Sequence, residues 1–118
     1  MSKLSDYVYE LLKKIFPHNL IKAEYYIKYK GTRLFFDFYI KDLGILIEVQ
    51  GKQHDEYVEH FHGDREGFIV SKRRDNLKKE YCQENDLILI EIRSRISKVK
   101  LIDRIWRKMF NGSKTARQ

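Results

Sequence analysis

The chain has 118 residues, 42% apolar and 35% charged, with a formal net charge of +7. That size predicts one domain with one core. The apolar content excludes a disordered chain, and no run approaches the ~18 apolar residues of a membrane span. The single cysteine, Cys82, excludes an internal disulfide and a four-cysteine zinc site, and no apolar leader follows Met1, so an intracellular, cytoplasmic setting is expected.

Helical spacing of Leu4, Val8, Leu11, Leu12 and Ile15 predicts a first helix over residues 5–16, ended by Pro17, the only proline. Residues 21–30 alternate apolar and charged side chains and read as a strand. A turn at Gly31 and Thr32 leads into an aromatic-rich strand over 34–40. A second turn at 42–44 leads into a short apolar strand over 45–50. Turns this short predict an antiparallel meander. Residues 51–67 hold three glycines, three histidines and five acidic residues, and read as a long polar loop, of the length that usually carries function. Helix resumes over 68–85, with Val70, Leu77 and Tyr81 expected on its inner face. A buried strand over 87–92 follows, then a last helix over 97–110. In that helix Val99, Ile102, Ile105, Trp106 and Met109 are the expected inner stripe, and Lys98, Lys100, Arg104, Arg107 and Lys108 the outer one. Residues 1–110 therefore read as one domain and 111–118 as a flexible tail. The third and fourth strands, joined through a helix, are expected to be parallel. The fold class is α/β: an αβββαβ core with a mixed four-stranded sheet flanked by helices, plus a basic C-terminal helix.

Charge is uneven along the chain. Residues 93–118 carry nine basic residues and one acidic, whereas residues 1–92 carry 15 basic and 16 acidic. A second basic cluster is Lys72, Arg73 and Arg74. Concentrated positive charge suits phosphate backbones, because binding releases condensed counterions. A solubilising basic end is the other reading. No phosphate-cradling glycine loop appears, so no nucleotide cofactor is expected.

Two carboxylates interrupt apolar strands. Asp37 stands within Leu34-Phe35-Phe36-Asp37-Phe38-Tyr39-Ile40, and Glu48 within Ile45-Leu46-Ile47-Glu48-Val49-Gln50. Charged residues are rarely buried unless paired or metal-bound. On adjacent strands these two can share a divalent cation, and Mg²⁺ is typically held by one or two carboxylates with water and phosphate oxygens. Separate structural ion pairs are the alternative.

Together Asp37-Phe38-Tyr39 and Ile47-Glu48-Val49-Gln50 resemble the motif of the PD-(D/E)XK nuclease superfamily, whose core has the same element order. The extension Gly51-Lys52-Gln53-His54 and the downstream Arg73-Arg74-Asp75, Lys78 and Tyr81-Cys82 are similar to very-short-patch-repair-type and phage homing-type endonucleases. The resemblance covers about residues 34–92. It implies a restriction-endonuclease-like fold and a metal-dependent DNA endonuclease of phage-type origin, using Mg²⁺ with Mn²⁺ as a substitute. Asp37, Glu48 and the Val49 backbone carbonyl would hold the metal. Gln50 would orient water and His54 act as general acid or base. Glu10, Lys52, Gln53, Asp75 and Lys78 would assist. Lys72, Arg73, Arg74, Lys98, Lys100, Arg104, Arg107 and Lys108 would contact DNA phosphates. One departure is Gln50, which stands where the motif has lysine and cannot supply its charge. The alternative is a non-catalytic nucleic-acid-binding module on the same fold. A homodimer, one active site per strand, is a further expectation. His60 and His62 with Asp64 form an incomplete set for structural zinc. Tyr25, Tyr26 and Tyr29 are candidates for base stacking, with core packing the alternative.

Overall fold

The computed structural model describes residues 2–50 and 65–116. Ser2 caps the first helix, α1 (Lys3–Ile15), by accepting from the Ser5 N–H at 3.1 Å. Val8, Leu11 and Leu12 make its buried stripe. Strands β1 (Lys22–Tyr29) and β2 (Thr32–Ile40) form an antiparallel hairpin. Its turn is Lys30-Gly31, one residue earlier than expected, and both residues have positive φ (49° and 75°), the tight hairpin turn that matches strand twist. A single 3-10 turn (Lys41–Leu43), closed by Gly44 at φ 65°, leads into β3 (Ile45–Val49). Helix α2 (Arg65–Glu84), strand β4 (Ile88–Ile92) and helix α3 (Lys98–Ala116) complete the chain.

The sheet order is β1-β2-β3-β4. The first three strands are antiparallel, and β4 lies parallel to β3, paired from Ile45↔Ile88 to Val49↔Ile92. The α/β class and the mixed four-stranded sheet are thus as expected. Successive residues of β3 feed opposite faces. Ile45 and Ile47 join Val8, Leu12, Phe38, Ile40, Ile90, Ile92, Leu101 and Ile105 in one cluster under α1 and α3. Leu46 joins Leu34, Phe36, Leu77 and Cys82 in the other, under α2.

Three expectations are corrected. Val70 is 49% exposed, so the inner face of α2 begins at Leu77. β4 is an edge strand, with Ile88, Leu89 and Glu91 only half-buried. The largest change is in α3, which runs past residue 110 to Ala116 and buries Leu101 and Ile105 with Met109 beside them. Val99, Ile102 and Trp106 face outward instead, and Trp106 is 68% exposed. The cause lies at the sheet edge. Arg104 Nη1 donates to the Glu91 carbonyl at 2.6 Å and Lys108 Nζ to the Leu89 carbonyl at 2.8 Å. These bonds roll the helix so that only half of its broad apolar arc meets the sheet.

Candidate active site where β2 and β3 separate

β2 and β3 are paired only from Ile40↔Ile45 to Phe38↔Ile47. The next step of that register sets Asp37 against Glu48. There the ladder stops, and the Asp37 side chain replaces it: Asp37 Oδ2 accepts from the Val49 N–H at 2.7 Å. An acceptor on a side chain satisfies a backbone donor that the separating strand no longer reaches. In a strand the C=O of a residue leaves on the same side as its N–H, so the Val49 carbonyl belongs to this gap as well. On its other side β3 continues, with the Gln50 N–H donating to the Ile92 carbonyl at 2.8 Å.

The opposite edge of β2 is irregular at the same place. The β1–β2 register runs through Ala23↔Phe38 and Tyr25↔Phe36 but is interrupted at Glu24 and Asp37. Glu24 is left-handed, at φ 52°. A non-glycine residue there is uncommon and costs about 1 kcal/mol or more. Across this break β2 changes face: Phe36 packs under α2, whereas Phe38 packs under α1 and α3.

Glu48 shares the face of Leu46 and is 6% exposed. Its partner comes from α2, where Lys78 Nζ donates to Glu48 Oε1 and also lies 5.5 Å from the Phe36 ring centroid. Burial pushes the Glu48 carboxyl above its ordinary range. Lys78 opposes that shift without cancelling it, and the charges of Asp37 and Asp75 add to it. Asp37, Glu48, Asp75 and Lys78 are therefore one electrostatic unit. Cys82 lies beside it, buried, with its thiol pushed up to about 11 by burial and then by the Glu48 charge. A thiol in that state is inert at neutral pH.

Other expected site residues lie elsewhere. Glu10 is on the exposed side of α1, bonded to Lys13 at 3.0 Å. Lys72, Arg73 and Arg74 are exposed on α2, with Lys72 5.7 Å from the Phe68 ring. Lys98 and Lys100 are exposed on the first turn of α3, while Arg107 pairs with Asp103 at 2.9 Å. Arg104 and Lys108 hold the β4 edge, as described. Lys52, Gln53, His54, His60, His62 and Asp64 lie outside the described residues. Among the described residues no group of three or more His, Cys, Asp or Glu side chains is placed to hold a metal ion. Were Asp37, Glu48 and the Val49 carbonyl to hold an ion, they would offer the sparse oxygen set of a Mg²⁺ site and not the closed ligand set of structural zinc.

The structure adds Lys28, Arg33 and Phe35 to Tyr26, one of the three tyrosines that the sequence offered for base stacking. On the outer part of the β1–β2 hairpin, cross-strand pairs Lys28↔Arg33 and Tyr26↔Phe35 lead along the strands towards Asp37. Tyr26 is 58% and Phe35 45% exposed, with the Arg33 guanidinium 5.2 Å from the Tyr26 ring. Tyr25 and Tyr29 pack inward instead, Tyr29 edge-on to Tyr81 at 5.4 Å.

No helix among the described residues is long and apolar enough to cross a membrane. No protein-family model matches the chain, and no solved structure does. The chain is 36% identical over 62 residues to Uncharacterized protein 033L of Invertebrate iridescent virus 3, an alignment covering 52% of this chain and 32% of that protein. It is 38% identical over 56 residues to Uncharacterized protein 307L of Invertebrate iridescent virus 6, covering 48% and 28%. It is 43% identical over 63 residues to Uncharacterized protein 094L of Frog virus 3, covering 52% and 41%. The matched half of the chain thus spans well under half the length of each of these viral relatives.

Proposed function

We propose that the chain is a metal-dependent DNA endonuclease with a restriction-endonuclease-like core, hydrolysing phosphodiester bonds with an activated water. The observation that carries this reading is the position of Asp37 and Glu48 at the point where β2 and β3 part, with Asp37 fixed by the Val49 N–H and Glu48 buried against Lys78. Bound Mg²⁺ or Mn²⁺ would polarise the phosphodiester and lower the pKa of a coordinated water. Asp37, Glu48 and the Val49 carbonyl would hold the ion. Lys78 supplies the positive charge that Gln50 cannot, and its distance from the β3 backbone is set by α2. Gln50, half-buried at the end of β3, is a hydrogen-bonding group for water or a phosphate oxygen. The Lys28, Arg33, Tyr26 and Phe35 face is suited to a strand of nucleic acid, with cations for phosphates and rings for bases. Lys72, Arg73, Arg74, Lys98 and Lys100 extend the positive surface. A single buried thiol fits an intracellular setting.

The test is nicking of supercoiled plasmid with Mg²⁺ or Mn²⁺. Cleavage should stop with EDTA and fall at least about 100-fold in Asp37→Asn and Glu48→Gln, which preserve side-chain shape. A second reading has its own support: Glu48 is already neutralised by Lys78, as in a nucleic-acid-binding module without catalysis. Salt-sensitive DNA binding with no metal-dependent cleavage would select that reading.

A further inference from the structure

Helix α3 has two apolar stripes. Leu101, Ile105 and Met109 pack on the sheet. Val99, Ile102, Trp106 and Phe110 form a second row, exposed by 75%, 42%, 68% and 61%. At 100° per residue these four lie within about 80° of one another on the helix surface, and they run along ~16 Å of its length. Single exposed apolar side chains are ordinary, but a contiguous row containing two aromatics marks an interaction surface.

The row is nearly palindromic. Reversing α3 about a two-fold axis between residues 104 and 105 sets Val99 against Phe110, and brings Ile102 to within one residue of Trp106 and Asp103 to within one residue of Arg107. Within one chain Asp103 and Arg107 are paired at 2.9 Å and largely exposed on the flank of this row. The same two charges would meet across the axis with the signs matched. A self-complementary patch is what a two-fold symmetric interface requires, since each residue contacts the partner of its own partner. Arg104 and Lys108, which anchor the helix to β4, lie on the far side of the helix, so the row is presented on a fixed element.

We propose that α3 pairs antiparallel with α3 of a second copy of this chain, burying Val99, Ile102, Trp106 and Phe110 in a two-fold symmetric dimer. This stands apart from the proposed activity, because it rests on the helix surface alone. A helix pair of this length is below the standard interface size, so the dimer is concentration-dependent.

The experiment is sedimentation equilibrium of the full chain from about 1 to 300 µM, with fluorescence of Trp106, the only tryptophan. The mass should rise from 14.4 kDa to twice that value as Trp106 emission shifts to the blue. Trp106→Glu should raise the dissociation constant at least about tenfold, with an unchanged far-UV spectrum because the residue is exposed. Asp103→Arg and Arg107→Asp should each weaken the dimer. The two single variants mixed in equal amounts should associate more tightly than either alone. A monomer across the range overturns the proposal. So does a dimer indifferent to Trp106→Glu, or a Trp106 shift that appears only when DNA is added.

Discussion

The two faces of the sheet are built differently. Under α1 and α3 the buried residues are apolar apart from Ser5, and Tyr9 stacks on Phe38 with ring centroids 5.6 Å apart. Under α2 the core is smaller and contains a buried carboxylate, its lysine partner and a thiol next to tyrosines. A buried ion pair is weak support for stability, because desolvating two charges offsets their attraction, whereas breaking it is costly. The first face is built for packing alone, and the second carries the candidate site at some expense to the fold.

This contrast can be broken by mutation. Phe38→Ala on the apolar face should cost about 3–5 kcal/mol in urea unfolding, through lost burial and a cavity, with no dependence on pH. Lys78→Met should cost about 3 kcal/mol near neutral pH, because Glu48 is left buried and charged. That cost should be pH-dependent. The folded carboxyl of Glu48 sits above its unfolded value, so its stabilising contribution is complete at pH below ~4.3 and is lost as pH rises through the folded value. Removing Lys78 moves the folded value higher still, so the slope should steepen and the variant approach the wild type in acid. Equal slopes would show that Lys78 and Glu48 are not coupled. Metal affinity should have the opposite sign, rising with pH as Glu48 ionises. The smallest stability effect belongs to the exposed hairpin. Tyr26→Ala should stay within about 0.5 kcal/mol in unfolding while weakening binding to single-stranded oligonucleotides severalfold. A large loss of stability there would assign Tyr26 to packing instead.

The element order was legible because Pro17, the Lys30-Gly31 turn and Asn85-Asp86 punctuate it. Asp37 and Glu48 were legible because a charge within an apolar strand is costly unless used. Lys78 was visible only as a neighbour of Asp75 on a helix, since its partner is 30 residues away in the chain. Of the hairpin surface only Tyr26 was named, among three tyrosines, and β2 changes face across the break at Glu24 and Asp37, so alternation alone does not say which of them point outward. Trp106 was misplaced because the apolar arc of α3 is wider than the strip it buries. Periodicity finds such an arc but does not say which half meets the sheet.

Each edge strand of the sheet among the described residues carries a feature that hinders pairing with a newcomer. Along β4, Arg104 and Lys108 occupy the outward carbonyls of Glu91 and Leu89. Along β1, the left-handed Glu24 bends the border out of line. Both features work against strand-by-strand addition. Protected edges of this kind disfavour cross-β association at high local concentration.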